Sequence, residues 1–189
     1  MRSWMARVLK RYKCAHKRWW PRGGTQKMEK DNQKQAVFES DRCYIRPFLE
    51  SDLDAFITYR NNPEWMEFQY FKGLTREEYR EVLVREPSVE KGAQLAIIHK
   101  ADDSLLGDVF IKKEADACWI GYTIHPAVKR RGYAFETVRA MIQWIQQSYP
   151  GLKILAGTSP QNLASIQLLE KLAFAPAGTE EGELIFQYV

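Results

Sequence analysis

"HPAVKRRGYAFETV", residues 125–138, decides how the rest of the chain is read. The stretch before it, "ACWIGYTIH" (117–125), reads as a strand, and a helical pattern follows it, so the segment is a strand-to-helix turn. Pro126 breaks the strand, Gly132 lets the backbone approach a ligand closely because a Cβ there would occupy ligand space, and Ala134 keeps the helix start close to the sheet. A helix N-terminus presents unpaired N–H groups and the positive end of the helix dipole, so it favours anions. Successive N–H groups over residues 130–134 would form a nest for phosphate oxygens, with Lys129, Arg130 and Arg131 attracting a polyanion. Taken alone, the turn reads more simply as an ordinary loop with solvated charges. The GxxxxGK[ST] spacing is missing, and a single glycine cannot make GxGxxG.

Working outward, the pattern predicts a helix from about Gly132 to Tyr149, with Ala134, Val138, Met141, Ile142 and Ile145 as its buried stripe. Pro150-Gly151 stops it, and "KILAGT" (153–158) reads as a short buried strand. Ser159, with Pro160 at the first helical position, is expected to cap a helix running to about Leu172. "ELIFQYV" (183–189) closes the chain as a strand. Upstream, "AQLAIIH" (93–99) and "LLGDVFIKK" (105–113) form a hairpin, with 117–125 as the next strand. "CYIRPF" (43–48) is a strand limited by Pro47. Ser51 with Asp54, and Thr75 with Glu78, have the spacing of capping boxes. The chain is thus α/β (α+β) with one mixed sheet: antiparallel strands early, a strand–helix–strand unit late.

With 45% hydrophobic and 13% aromatic residues, the 189-residue chain has enough apolar material for one packed domain. Its net charge of +4 is unevenly spread. The first 27 residues hold nine of the 28 Lys and Arg and none of the 24 acids, so the remainder is acidic. Nucleic-acid binding by the whole protein would therefore rest on the wrong residues. Residues 1–35 read as a basic leader, disordered or partly helical, and 36–189 as the folded domain. Met28 is an alternative start, and Arg22-Gly23-Gly24 can be encoded by a purine-rich ribosome-binding sequence. Cys14, Cys43 and Cys118 form no CxxC pair, and the three histidines lack ligand spacing, so neither a disulfide framework nor a metal site is expected. No apolar run approaches the roughly 18 residues that span a bilayer. A cytoplasmic protein, monomeric or homodimeric, is expected.

Three segments share one resemblance. "IGYTIHPAVKRRGYAFETV" resembles the acetyl-CoA motif of the GNAT superfamily of N-acetyltransferases, Gln/Arg-x-x-Gly-x-Gly/Ala, here Lys129-x-x-Gly132-x-Ala134. "NLASIQLLEKLAF" (162–174) resembles the second cofactor helix of that family, with Ala173 where the family has glycine. "DRCYIRPFLESDLDAF" resembles the opening of the branch that holds the ribosomal-protein alanine acetyltransferases. The resemblance implies a mostly antiparallel central sheet flanked by helices and splayed between its two central strands. It implies acetyl-CoA as co-substrate, with the pyrophosphate on the turn of Lys129, Arg130, Arg131, Gly132, Tyr133 and Ala134. The pantetheine would run between the splayed strands beside Ile124, Asn162 and Ser165. The implied acceptor is a primary amine, of a protein or of a small molecule.

The catalytic groups usual in that family are missing. The glutamate before "IGY" is Trp119, and the tyrosine seven residues after the helix asparagine is Leu169. Ser165 is the candidate proton donor to the thiolate, with a hydroxyl bonded back to its own helix as the alternative. The base is unassigned: Asp108, Asp116 and Glu67 are candidates, each also readable as a solvated surface carboxylate. Trp119 and Tyr122 lie on opposite faces of their strand and read as packing, with the lining of an apolar acceptor pocket as the alternative for Trp119; Glu136 reads as a first-turn acid favoured by the dipole. An α-amine of pKa near 7.8 is roughly 14% neutral at pH 7, against about 0.04% for a lysine. A site without a strong base therefore suits α-amines. Two other classes stay open: a non-catalytic acyl-CoA sensor, and a nucleic-acid or membrane-surface binder acting through the leader.

Overall fold

The computed structural model describes residues 36–189, so every expectation placed on the leader lies outside the described residues. In chain order the elements are β1 (Phe38–Glu39), β2 (Cys43–Arg46), α1 (Leu53–Arg60), α2 (Arg76–Leu83), β3 (Ala93–His99), β4 (Leu105–Glu114) and β5 (Ala117–Ile124). They continue with α3 (Tyr133–Ser148), β6 (Lys153–Thr158), α4 (Leu163–Lys171), β7 (Phe174–Glu180) and β8 (Glu183–Tyr188). The strands make one sheet in the order β1-β2-β3-β4-β5-β6-β8-β7, antiparallel throughout except for the parallel pair β5 and β6. The mixed, mostly antiparallel sheet expected from the sequence is the one observed.

Both faces of the sheet are covered. Leu95, Ile97, Val109, Ile111, Cys118 and Ile120 pack against Val138, Met141, Ile142 and Ile145 of α3 and Leu169 of α4. On the opposite face Ala96 and Ile98 meet Leu53, Phe56 and Tyr59 of α1 and Tyr79 and Leu83 of α2. Coverage on both sides explains why β3 is a nearly continuous apolar run instead of an alternating one. The Thr75–Glu78 capping box forms as read: the Glu78 amide donates to Thr75 Oγ1 at 3.2 Å, and the Thr75 amide to Glu78 Oε2 at 2.9 Å.

Four readings are corrected. The Ser51–Asp54 box does not form; Asp52 instead accepts from the Leu49 amide at 2.7 Å and pairs with buried Arg46 at 2.6 Å. Ser159 does not cap α4. Asn162 does, its Oδ1 accepting from the Ser165 amide at 3.2 Å, which leaves Pro160 in the preceding turn. Asp108 is no surface acid: it is fully buried, ion-paired with Arg60 and hydrogen-bonded by Tyr59 and Gln94. β7 went unread because Pro176 and a register shift between Pro176 and Gly178 break its alternation.

Ala173, which stands where the resembled family has glycine, ends α4 with a left-handed φ of 64°. A side chain in that conformation costs about 1 kcal/mol. Ala173→Gly is expected to raise unfolding free energy by about 1 kcal/mol, read as a higher urea midpoint with unchanged slope.

Candidate functional site

β5 and β6 pair only from Ala117↔Lys153 to Ile120↔Ala156, although both strands run further. Beyond the last pair they part, and the gap opens into a solvent-exposed cleft. Ile120, Gly121 and Tyr122 form one wall, Ala156, Gly157 and Thr158 the other, and Asn162 and Ser165 reach in from α4. Phe68, Gln69 and Tyr70, from the loop joining α1 to α2, line it as well. That loop is tied down next to the cleft by the Trp65 indole N–H, which donates to the Ile124 carbonyl at 2.8 Å.

The quoted turn lies at the end of β5. His125 Nδ1 accepts from the Ala127 amide at 3.1 Å and closes a short 3₁₀ turn over Pro126–Val128. Arg130 and Gly132 then take left-handed φ values of 61° and 85°. The sequence suggested that glycine is needed at 132 for close ligand approach; the backbone conformation is a second and sufficient reason. Among the described residues, the N–H groups of 130–135 make no backbone hydrogen bond. They are left for an anion, beside the exposed Arg130 and Arg131. Lys129 is also exposed, its Nζ 5.6 Å from the Trp65 ring centre. Tyr133 can serve such an anion only through its backbone, because its ring is buried under Arg42 at 4.2 Å and against His99.

Inside the cleft, the Tyr122 hydroxyl lies 2.9 Å from Ser165 Oγ. Ser165 therefore faces the cleft and not its own helix, and Tyr122 is more than packing. Burial pushes the Tyr122 phenol up to about 12, with the Ser165 contact opposing, so it stays protonated at neutral pH. Asn162 and Ser165 are brought together as expected. Ile124, expected beside the pantetheine, does not line the cleft; it packs against the core, and its carbonyl is engaged by Trp65.

None of the three base candidates reaches this place. Asp108 is locked to Arg60. Asp116 is exposed and pairs with Lys153 at 2.8 Å, at the closed end of the β5–β6 pair. Glu67 is exposed on the loop. Trp119 is buried. The carboxylate that does line the cleft is Glu183, 7% exposed. It is the first residue after the two-residue turn joining β7 to β8, and that turn delivers it against Gly157. Burial raises its pKa, as do Glu180 and Glu181, while a hydrogen bond from Tyr70 opposes them. Nothing in the sequence singled it out, since its partners come from segments 26 and 113 residues away.

Residues 42–175 match the family described as "Acetyltransferase (GNAT) domain". The probable N-acetyltransferase YjcK of Bacillus subtilis is 30% identical over 155 residues, covering 75% of this chain and 85% of the relative. An acetyltransferase (GNAT family) from Bacillus anthracis superposes with a TM-score of 0.72 at 20% identity, covering 80% of this chain and 97% of that one. RimL, a ribosomal L7/L12 alpha-N-protein acetyltransferase solved in complex with coenzyme A, gives 0.68 at 15% identity, covering 82% and 98%.

A carboxyl whose pKa is raised on folding disfavours the folded state once it is ionised, so the penalty grows as pH rises through and above the unfolded value. Glu183→Gln removes it. The variant is expected to melt above the wild type at pH 7, with the gap closing at pH 4. Equal melting at pH 7 would mean that Glu183 is solvated.

Proposed function

The chain belongs to the acetyltransferase (GNAT) family, and we propose that it moves the acetyl group of acetyl-CoA onto a primary amine, an α-amino group of a protein or small molecule. The observation that carries this reading is the parting of β5 and β6 beside a turn of unpaired N–H groups. The residues present fit the donor. The N–H groups of 130–135, with Arg130 and Arg131, would hold the pyrophosphate; the unpaired strand ends at 121–122 and 157–158 would take the pantetheine as an added strand.

The bound thioester supplies an activated acetyl group; the chain's own residues manage the protons. As the amine nitrogen bonds to the carbonyl carbon it sheds one proton, and Glu183 receives it. As the carbon–sulfur bond breaks, Ser165, in its hydrogen bond with Tyr122, returns one to the sulfur. A desolvated carboxylate is a better base than a solvated one but a weak one beside a lysine ammonium, so the site works on amines that are already partly neutral at pH 7. A non-catalytic sensor has no use for a buried carboxylate and a Tyr–Ser pair in the same cleft. Among the described residues no cluster suited to a metal ion is present, and no helix is long and apolar enough to cross a membrane.

Acetyl-CoA is expected to raise the melting temperature of the wild type, and Gly132→Asp to abolish the shift by placing a negative charge at the cradle. Asn162→Ala should weaken binding less. With a panel of amines and release of free thiol as the signal, α-amine peptides are acetylated and lysine side chains are not. Glu183→Gln lowers kcat by about 10²-fold on the same substrate. An undiminished thermal shift in Gly132→Asp would move the donor site elsewhere, and acetylation of lysine side chains or polyamines alone would overturn the acceptor assignment.

A further inference from the structure

Glu136 sits in the first turn of α3, at the helix end that receives the donor phosphates in the reading above, where a free carboxylate would repel them. It is not free. Its Oε1 accepts from the Ser40 hydroxyl at 2.6 Å and from the Arg42 amide at 2.7 Å, and its Oε2 accepts from Arg42 Nε at 2.7 Å. Arg42 Nη2 reaches the same Oε2 at 2.7 Å, which completes a forked pair. Burial pushes the Glu136 carboxyl up, but these donors hold it below the ordinary value. The same Nη2 also donates to the Arg131 carbonyl at 3.2 Å, and the Arg42 guanidinium lies 4.2 Å from the centre of the Tyr133 ring. The nearest atom to a side chain built on Gly132 would again be Arg42 Nη2, at 3.5 Å.

One arginine thus grips a carboxylate, a carbonyl and a ring, all within residues 131–136. The peptide bonds of the described residues are trans, so a carbonyl and the N–H of the following residue point in opposite directions. With the Arg131 carbonyl held toward Arg42, the Gly132 N–H must point away from it, toward the open side. Arg42 comes from the turn between β1 and β2, 89 residues from the carbonyl it holds, and makes no other ion pair among the described residues.

We propose that Arg42 is a positioning residue for the donor site: it aims the backbone of the 130–132 turn at the pyrophosphate and, through its fork to Glu136, cancels a carboxylate that would oppose a polyanion there. The proposal rests on the functional reading above. It assigns the N-terminal hairpin a part in binding the donor, since that hairpin carries Ser40 and Arg42.

The test compares two donors and reads binding separately from turnover. Arg42→Ala is expected to weaken coenzyme A, measured by calorimetry, at least about tenfold, and to raise KM for acetyl-CoA with kcat within about threefold of wild type. S-acetyl-pantetheine, which has no pyrophosphate, should keep its kcat/KM, a result that general loss of structure would not produce. Adding Glu136→Gln to Arg42→Ala should recover about threefold in coenzyme A affinity, because an unpaired negative charge is removed; a merely structural contact would lose further. If Arg42→Ala does not fold, Arg42→Lys carries the test. It keeps the charge but cannot span Glu136 and the Arg131 carbonyl, and it should bind coenzyme A about threefold more weakly. Unchanged affinity in the single variant that folds, or equal losses with both donors, overturns the proposal. A wild type that binds no coenzyme A fails the functional reading itself and takes the inference with it.

Discussion

Two parallel strands that lie side by side cannot be joined by a hairpin; the chain must travel the length of the sheet and start again at the same end. β5 and β6 are the one such pair in this sheet, and α3 is the crossover between them. The start of α3 is therefore bound to the end of β5, and that is also the end at which the two strands stop pairing. A row of unpaired N–H groups and an unpaired strand gap are delivered to one place by the same topological necessity. Everything assigned to the site follows from that coincidence, including the entry of α4 with Asn162 and Ser165 directly after β6.

The crossover and its turn were legible because their signals are local. The glycine, the three cations and the 3.6-residue stripe of α3 are contiguous in the chain, and the structure buries that stripe as read except for Ala134, which is only half-buried. The family motif likewise put Asn162 and Ser165 in one cleft. What stayed hidden depends on contacts between distant segments. Glu136 looked like an acid serving a helix dipole until Arg42, 94 residues earlier, proved to hold it. Asp108 was readable as a solvated surface acid, yet Arg60 and Tyr59 from α1 close over it. Glu183 gained its meaning only once β7 turned back beside β8, and β7 was obscured by Pro176 and Gly178.

The charged groups divide by how they meet the cost of burial. Asp52 and Asp108 are buried with arginine partners and fix α1 to the sheet. Glu136 is neutralised by a fork that also shapes the turn. Glu183 alone among these four is buried without a cation, held by a tyrosine hydroxyl, and burial raises its pKa. A carboxylate kept in that state weakens the fold, and such a cost is expected where a proton has to be accepted. The left-handed Arg130 adds local strain at the adjoining turn.

In the proposed function the donor occupies the 130–135 turn and the gap between β5 and β6. Hydrogen exchange with and without coenzyme A tests it residue by residue, because an amide that donates to a phosphate or pairs with pantetheine is protected. Amides 130–135 and the gap-facing amides among 121–122 and 157–158 should slow on adding coenzyme A, while α2 exchanges as before. Unchanged exchange at 130–135, with protection appearing on the α1–α2 face, would contradict it.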